Sequence, residues 1–263
     1  MPDLMQTLTA EDVTLNNNLR LIEPRWNKGL QGHQLTLGFG IEQILADNLG
    51  LEARGEWDSL SLRDSRGDGG FGNVGLLLKY VFVSLPQIQL ALGPAVSFPT
   101  NSHLGAEAMD TDARMVFTWG GRMVELSRAG WQRYLQALEF QGDLEYSHTF
   151  GHPAGNKLLF DPVLDYSVPY LNYSVNSDIP WPVDNLCIFA ELNVEQIISG
   201  SENKLLSVFI TPGLAYMTPA YQLTAGVQLP LNHHASRSEN VAAIGSVIIS
   251  IGRIDPLAGL SQF

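Results

Sequence analysis

Three carboxylates and an amide recur at every second position of LEFQGDLEYSH, residues 138 to 148: Glu139, Gln141, Asp143 and Glu145. Paired acids are the tools of glycoside hydrolysis, in which two carboxyls about 5 to 10 Å apart flank the scissile bond. Acids spaced by two along an extended chain, however, share one face of a strand, and Leu138, Phe140, Leu144 and Tyr146 then share the other. A solvated or lumen-lining face is therefore the preferred reading over a catalytic pair. Ser147 and His148 adjoin each other with Asp143 near, but strand neighbours point to opposite faces, so a nucleophile and its base would not meet.

The remaining chemistry-bearing residues are sparse. His148 with His152, and His233 with His234, fall in expected loops with no cluster of further ligands, so no metal site is expected. GDGGFG at 67 to 72 lacks the strand-to-helix context of a phosphate cradle and reads as a hairpin loop. A single cysteine, Cys187, excludes an internal disulfide framework and a multi-cysteine metal centre, and it fits as a small apolar strand residue. No catalytic residue, metal or cofactor is expected.

The elements that position these residues alternate with period two, which marks strands and not helices. Candidate strands run over 33–44, 49–58, 72–83, 87–98, 112–124, 133–147, 157–170, 185–198, 204–216, 220–231 and 240–254, with a twelfth near 12–23. Most exceed the usual 5 to 6 residues and reach the roughly 9 to 11 that cross a bilayer at a tilt. Short links at 46–48, 84–86 and 218–219 alternate with loop-like stretches from 59, 99 and 148, the rhythm of an outer-membrane barrel. Two links break it: 171–185 is long for its side and 200–203 short. Trp57, Tyr80, Phe82, Phe98, Tyr146, Tyr170, Tyr216 and Tyr221 lie near proposed strand ends, where interfacial girdles place aromatics.

Composition points the same way. Charged residues are 16% of the 263, against roughly 25% in an average soluble domain. The balance of 15 basic to 27 acidic residues, a net charge of −12, argues against a nucleic-acid partner. Leu205 to Ser236 contains no Asp, Glu, Lys or Arg, yet Pro212, Pro219 and Pro230 would break it as a membrane helix. The start, MPDLMQTLTAEDV, lacks the basic and apolar regions of a secretory signal. No repeat or linker divides the chain, so one domain is expected over 1–263, with an N-terminal extension at 1–11 and a tail at 255–263.

Parity assigns a lumen-lining set: Glu42, Glu52, Arg54, Glu56, Asp58, Lys79, Arg114, Arg122, Glu139, Gln141, Asp143, Glu145, Asp161, Asp165, Glu191, Asn193 and Glu195. Eleven acids stand against four bases in this set, an acidic excess of about seven. An interior of that sign favours cations or neutral solutes over anions.

Three segments carry a resemblance: FGNVGLLLKYVF at 71–82, LALGPAVSFPTNSHLG at 90–105 and FITPGLAYMTPAYQLTAGVQLPL at 209–231. Lys79 and Tyr80, Ser97 to Thr100, Thr211 to Leu214 and Gly226 to Leu231 match strand and turn patterns of the outer-membrane channels named after the meta pathway of phenol degradation. The chain, over about 30–254, resembles that family. The resemblance implies a bacterial outer-membrane barrel of about a dozen strands that takes up small, often aromatic or hydrophobic compounds, and it supplies no catalytic residues.

The expectation is thus an all-β, single-domain, antiparallel up-and-down transmembrane barrel of about twelve strands, acting as a channel or transporter with membrane lipid as partner. Two alternatives remain: a soluble or peripheral lipid-binding barrel with its apolar face inward, and a barrel-embedded lipid hydrolase, which needs a Ser and His sharing one face.

Overall fold

The computed structural model describes residues 14–28, 32–62, 68–85, 87–100, 111–122, 130–150, 155–175, 178–199 and 205–251. The extension at 1–11, His152, the short link at 200–203 and the tail at 255–263 lie outside the described residues.

Among the described residues twelve strands close into one barrel: β1 (Asn18–Lys28), β2 (Gly32–Ala46), β3 (Leu49–Leu62), β4 (Asp68–Ser84), β5 (Ile88–Pro99), β6 (Thr111–Arg122), β7 (Leu138–Phe150), β8 (Gly155–Ser167), β9 (Leu186–Ser199), β10 (Leu206–Met217), β11 (Tyr221–Pro230) and β12 (Val241–Ser250). Each pairs antiparallel with its sequence neighbours, and β1 pairs with β12 to complete the circle. Closure satisfies every ladder and leaves no edge strand.

The alternation in the sequence becomes an inside and an outside. On β7, Glu139, Gln141, Asp143, Glu145 and Ser147 are buried, while Phe140, Leu144 and Tyr146 are exposed. The same holds around the circle, with Phe39, Leu78, Phe82, Leu92, Leu164 and Leu214 among the large apolar side chains facing outward. A continuous apolar belt of this kind is foreign to a soluble monomer and matches the lipid-facing surface of a membrane barrel. The inward-facing apolar lining expected of a soluble lipid-binding barrel is the reverse of what is found. No helix among the described residues is long and apolar enough to cross a membrane, a statement that does not bear on crossing by strands.

One break in the belt is repaired across strands. Gly142 of β7, at φ +156°, leaves a gap where a Cβ would meet Asp161 O at 2.5 Å and Trp119 Cζ2 at 2.8 Å. Trp119, its register partner on β6, lays its ring there and stacks on Phe160 of β8 with centroids 5.7 Å apart.

Several boundaries differ from expectation, each for a physical reason. β1 begins at Asn18, not near 12, and carries an irregularity between Arg20 and Glu23. Residues 133–137 are part of a 3-10 segment, Gly130–Ala137, and 168–170 open a helix, α1 (Val168–Val175), instead of continuing strands. These pieces pack on one another and on a 3-10 turn at Val183–Asn185, burying Ala137, Val168 and Leu171. The links after β6 and β8 are therefore long where the barrel rhythm predicts short ones, and their described parts form a helical shelf at the end holding the Asp47–Asn48 turn. At the opposite end, Ser59 and Asp58 pair with Gly69 and Gly70, so much of the predicted loop from Ser59 is strand. That end also carries a second helix, α2 (His233–Ser238), capped by Asn232 Oδ1 accepting from Ala235 N at 2.9 Å.

Candidate functional site

The inner wall divides into a buried floor and an accessible cavity. The floor occupies the half nearer the Asp47–Asn48 turn. An ionic cluster from β1 to β4 forms one side of it. Arg20 Nε lies 3.2 Å from Glu52 Oε1, and Arg20 Nη1 donates to Glu23 Oε1 at 2.8 Å. Lys79 Nζ donates to Glu42 Oε1 at 3.3 Å, and Arg54 Nε donates to Glu52 Oε1. Glu42 and Glu52 face each other in register, so two like charges share one layer and the bases between them hold it together.

The other side of the floor is acid-rich. Glu139 stands in register opposite Asp165, and Asp143 opposite Asp161, across β7 and β8. Glu191 of β9 follows beside Val163, and Arg122 of β6 stands in register with Glu139. All six of these carboxylates and amides, Glu139, Gln141, Asp143, Asp161, Asp165 and Glu191, are buried. Beside them Val163, Cys187, Phe189 and Ala215 form an apolar cluster with Met217, whose Sδ lies 3.4 Å from Cys187 Sγ. Cys187 is thus a packing residue of the lumen.

Above the floor lies a cavity of about 550 Å³. Its lining comes from the strand halves near the 231–240 link and includes Arg25, Arg54, Glu56, Arg114, Glu145, Lys157 and Glu195, with Leu159 and Ile244 as apolar surface. An interstrand hydrogen-bond chain crosses its wall: Arg25 Nη2 donates to Glu239 Oε2 and to Gln228 Oε1, each at 2.6 Å, Gln228 Nε2 donates to Asn193 Oδ1 at 3.0 Å, and Asn193 Nδ2 donates to Asp161 Oδ1 at 3.3 Å. Thr211 Oγ1 adds a bond to Asn193 Oδ1 at 3.2 Å. Asn193 is the hub tying β8 to β11.

The sequence-assigned set is therefore split by depth. Glu42, Glu52, Lys79, Glu139, Gln141, Asp143, Asp161, Asp165 and Glu191 belong to the floor; Arg54, Glu56, Arg114, Glu145 and Glu195 reach the cavity. Asn193 links the two levels. Asp58 lies higher, accepting from Thr36 Oγ1 at 2.5 Å. Parity missed Arg20, Glu23 and Arg25. The irregularity in β1 reverses the inward parity between Arg20 and Glu23, so no single alternation could include all three. Lys157 and Asp112 share the inward parity of their strands and were recognisable by it.

A hydrolytic site does not assemble from the described Ser and His residues near β7. His148 Nδ1 lies 2.6 Å from Asn156 Oδ1, and Asn156 Nδ2 donates to Ser199 Oγ at 2.7 Å. The Asn156 amide bonds both the imidazole and the hydroxyl, and no direct His148–Ser199 hydrogen bond forms among the described residues. Ser147 is buried on the inner face, away from His148. Among the described residues no group of three or more His, Cys, Asp or Glu is arranged to hold a metal ion.

Comparison with known proteins finds the fold and not a family. No protein-family model matches the chain, and no curated protein matches it. Among solved structures, the COG4313 outer membrane channel from Pseudomonas putida F1 superposes with a TM-score of 0.55 at 13% identity, covering 94% of this chain and 99% of that one. The NanC porin gives 0.54 at 11% identity, covering 88% and 98%. The KdgM porin gives 0.51 at 15% identity, again covering 88% and 98%. The chain has the closed antiparallel barrel fold of these porins and channels.

Proposed function

We propose that this barrel sits in the bacterial outer membrane as a channel for small organic molecules and has no enzymatic activity. The carrying observation is a charged cavity of about 550 Å³ inside a closed barrel whose outer face is apolar. Lipid covers the belt, and the lumen handles the solute. The structural neighbours named as porins and as an outer membrane channel support this reading at the level of fold.

The resemblance to the meta-pathway channels enters the same proposal and gives small aromatic or hydrophobic compounds as the solute class, taken up passively. Leu159 and Ile244, with Gly38, Gly75 and Gly245, leave room in the cavity for an apolar body. The hydroxyls and charges around them favour a solute that also bears a polar group. The acidic excess of the lumen lies mainly in the floor, so passage beyond the cavity requires floor side chains to move, and conductance should be small or gated.

Proteoliposomes containing the purified chain should swell in isotonic arabinose faster than empty vesicles, and planar bilayers should show discrete small conductances. A folded barrel that admits no solute in either assay, or a protein that stays in the aqueous phase without detergent, would remove the proposal.

A further inference from the structure

Each base that reaches the cavity is ion-paired to a carboxylate less exposed than itself. Arg54 is 35% exposed and Glu52 2%; Arg114 is 30% and Glu145 9%. Arg25 is 34% exposed against 11% for Glu239, and Lys157 45% against 37% for Glu195. In the three arginine pairs the base is much the more exposed partner, so these pairs present positive charge to a solute even though the lumen as a whole carries more acids, while Lys157 and Glu195 are exposed about equally. The other acids at the cavity are engaged by their own wall. Glu23 accepts from Arg20 Nη1 at 2.8 Å, Glu56 from the backbone N–H of Asn73 at 3.2 Å, and Asp112 from Ser97 Oγ at 3.5 Å.

One of the bases borders a notch. Gly75 stands in register with Arg54, and a Cβ placed on it would find only Arg114 Nη2 and Val96 O, each at 3.9 Å. Both arginines and Gly75 line the same cavity. The glycine therefore leaves open space on the wall beside the Arg114 guanidinium, with Arg54 on the neighbouring strand at the same level. Arg114 gives Glu145 one Nη1–H at a long 3.3 Å, and its Nη2 borders the open space at Gly75. A guanidinium carries five N–H donors in a planar fork that matches a carboxylate.

We propose that the Gly75 notch binds the carboxylate of a small organic monoanion against Arg114, in a cavity that Arg54 also lines, with the solute's apolar body in the remaining space. This deepens the channel reading and rests on it for its biological sense. It also reverses the preference that the summed charge of the lumen would predict, because burial and not formal count decides which charges a solute meets.

Benzoate, benzyl alcohol and benzylamine share a ring and differ in charge, and each is titrated calorimetrically into the full chain in detergent. Benzoate should bind at least about tenfold more tightly than benzyl alcohol, with benzylamine weakest. Arg114→Gln should lose about tenfold in benzoate affinity and Arg114→Lys less. Gly75→Val, which fills the notch and leaves both arginines, should lose as much as Arg114→Gln. Retained heat-modifiable gel migration establishes that each variant is a folded barrel. Benzoate binding no tighter than benzyl alcohol, or unchanged by both Arg114→Gln and Gly75→Val, overturns the assignment. Swelling in arabinose tests the channel separately: flux without benzoate preference removes the notch alone, whereas benzoate binding without any flux removes the channel and keeps the notch.

Discussion

The floor and the cavity are built from the same strands and the same residue types, yet their charges do different work. In the floor, Lys79 and Glu42 are both almost fully buried at 3.3 Å. In the cavity, Lys157 and Glu195 sit at a similar 3.1 Å with more than a third of each side chain exposed. Distance alone would rank the pairs as equals. Desolvation separates them: a buried pair is held because neither partner survives alone, and an exposed pair is screened and weak. The lesson is that charge in this lumen is structural where water is excluded and available to a solute where it is not.

Lys79→Met should cost about 3 to 5 kcal/mol, because it strips a base from two facing buried glutamates. The double variant Lys79→Met, Glu42→Leu should recover most of that loss. Reversible urea unfolding in lipid vesicles measures both, and a single variant as stable as the parent would show that the floor is hydrated. Next in size is the outer face. Leu144→Arg, placed in the middle of β7, should cost about 2 to 4 kcal/mol in the same assay if lipid covers the belt. The smallest effect belongs to the cavity pair: Lys157→Gln should change stability by no more than about 1 kcal/mol. A loss there as large as that of Lys79→Met would erase the distinction between the two regions.

Much of the architecture is local in origin and was legible along the chain. Period-two alternation in LEFQGDLEYSH separates Glu139, Asp143 and Glu145 from Phe140, Leu144 and Tyr146 without knowledge of any neighbour, and the structure keeps that partition. Strand number, antiparallel order and the short turns at 46–48 and 218–219 follow from the same period and from breaker residues. Where alternation is interrupted the reading fails. The β1 irregularity hides Arg20, Glu23 and Arg25, and residues 133–137 and 168–170 mimic strand continuations while belonging to a helical shelf. A polar stretch such as 59–70 reads as loop because polarity marks contact with water and not the absence of a ladder.

By itself, then, the sequence determined that the chain alternates, how many strands it can form and which side chains share a face, because those properties depend on residues two apart. Only the tertiary structure decided which of the inward charges are sealed in the floor and which reach the cavity. Burial depends on what the neighbouring strands place beside each group once the sheet has closed. So Glu52 and Arg54, two positions apart on one face and indistinguishable by parity, end as a hidden acid and an accessible base.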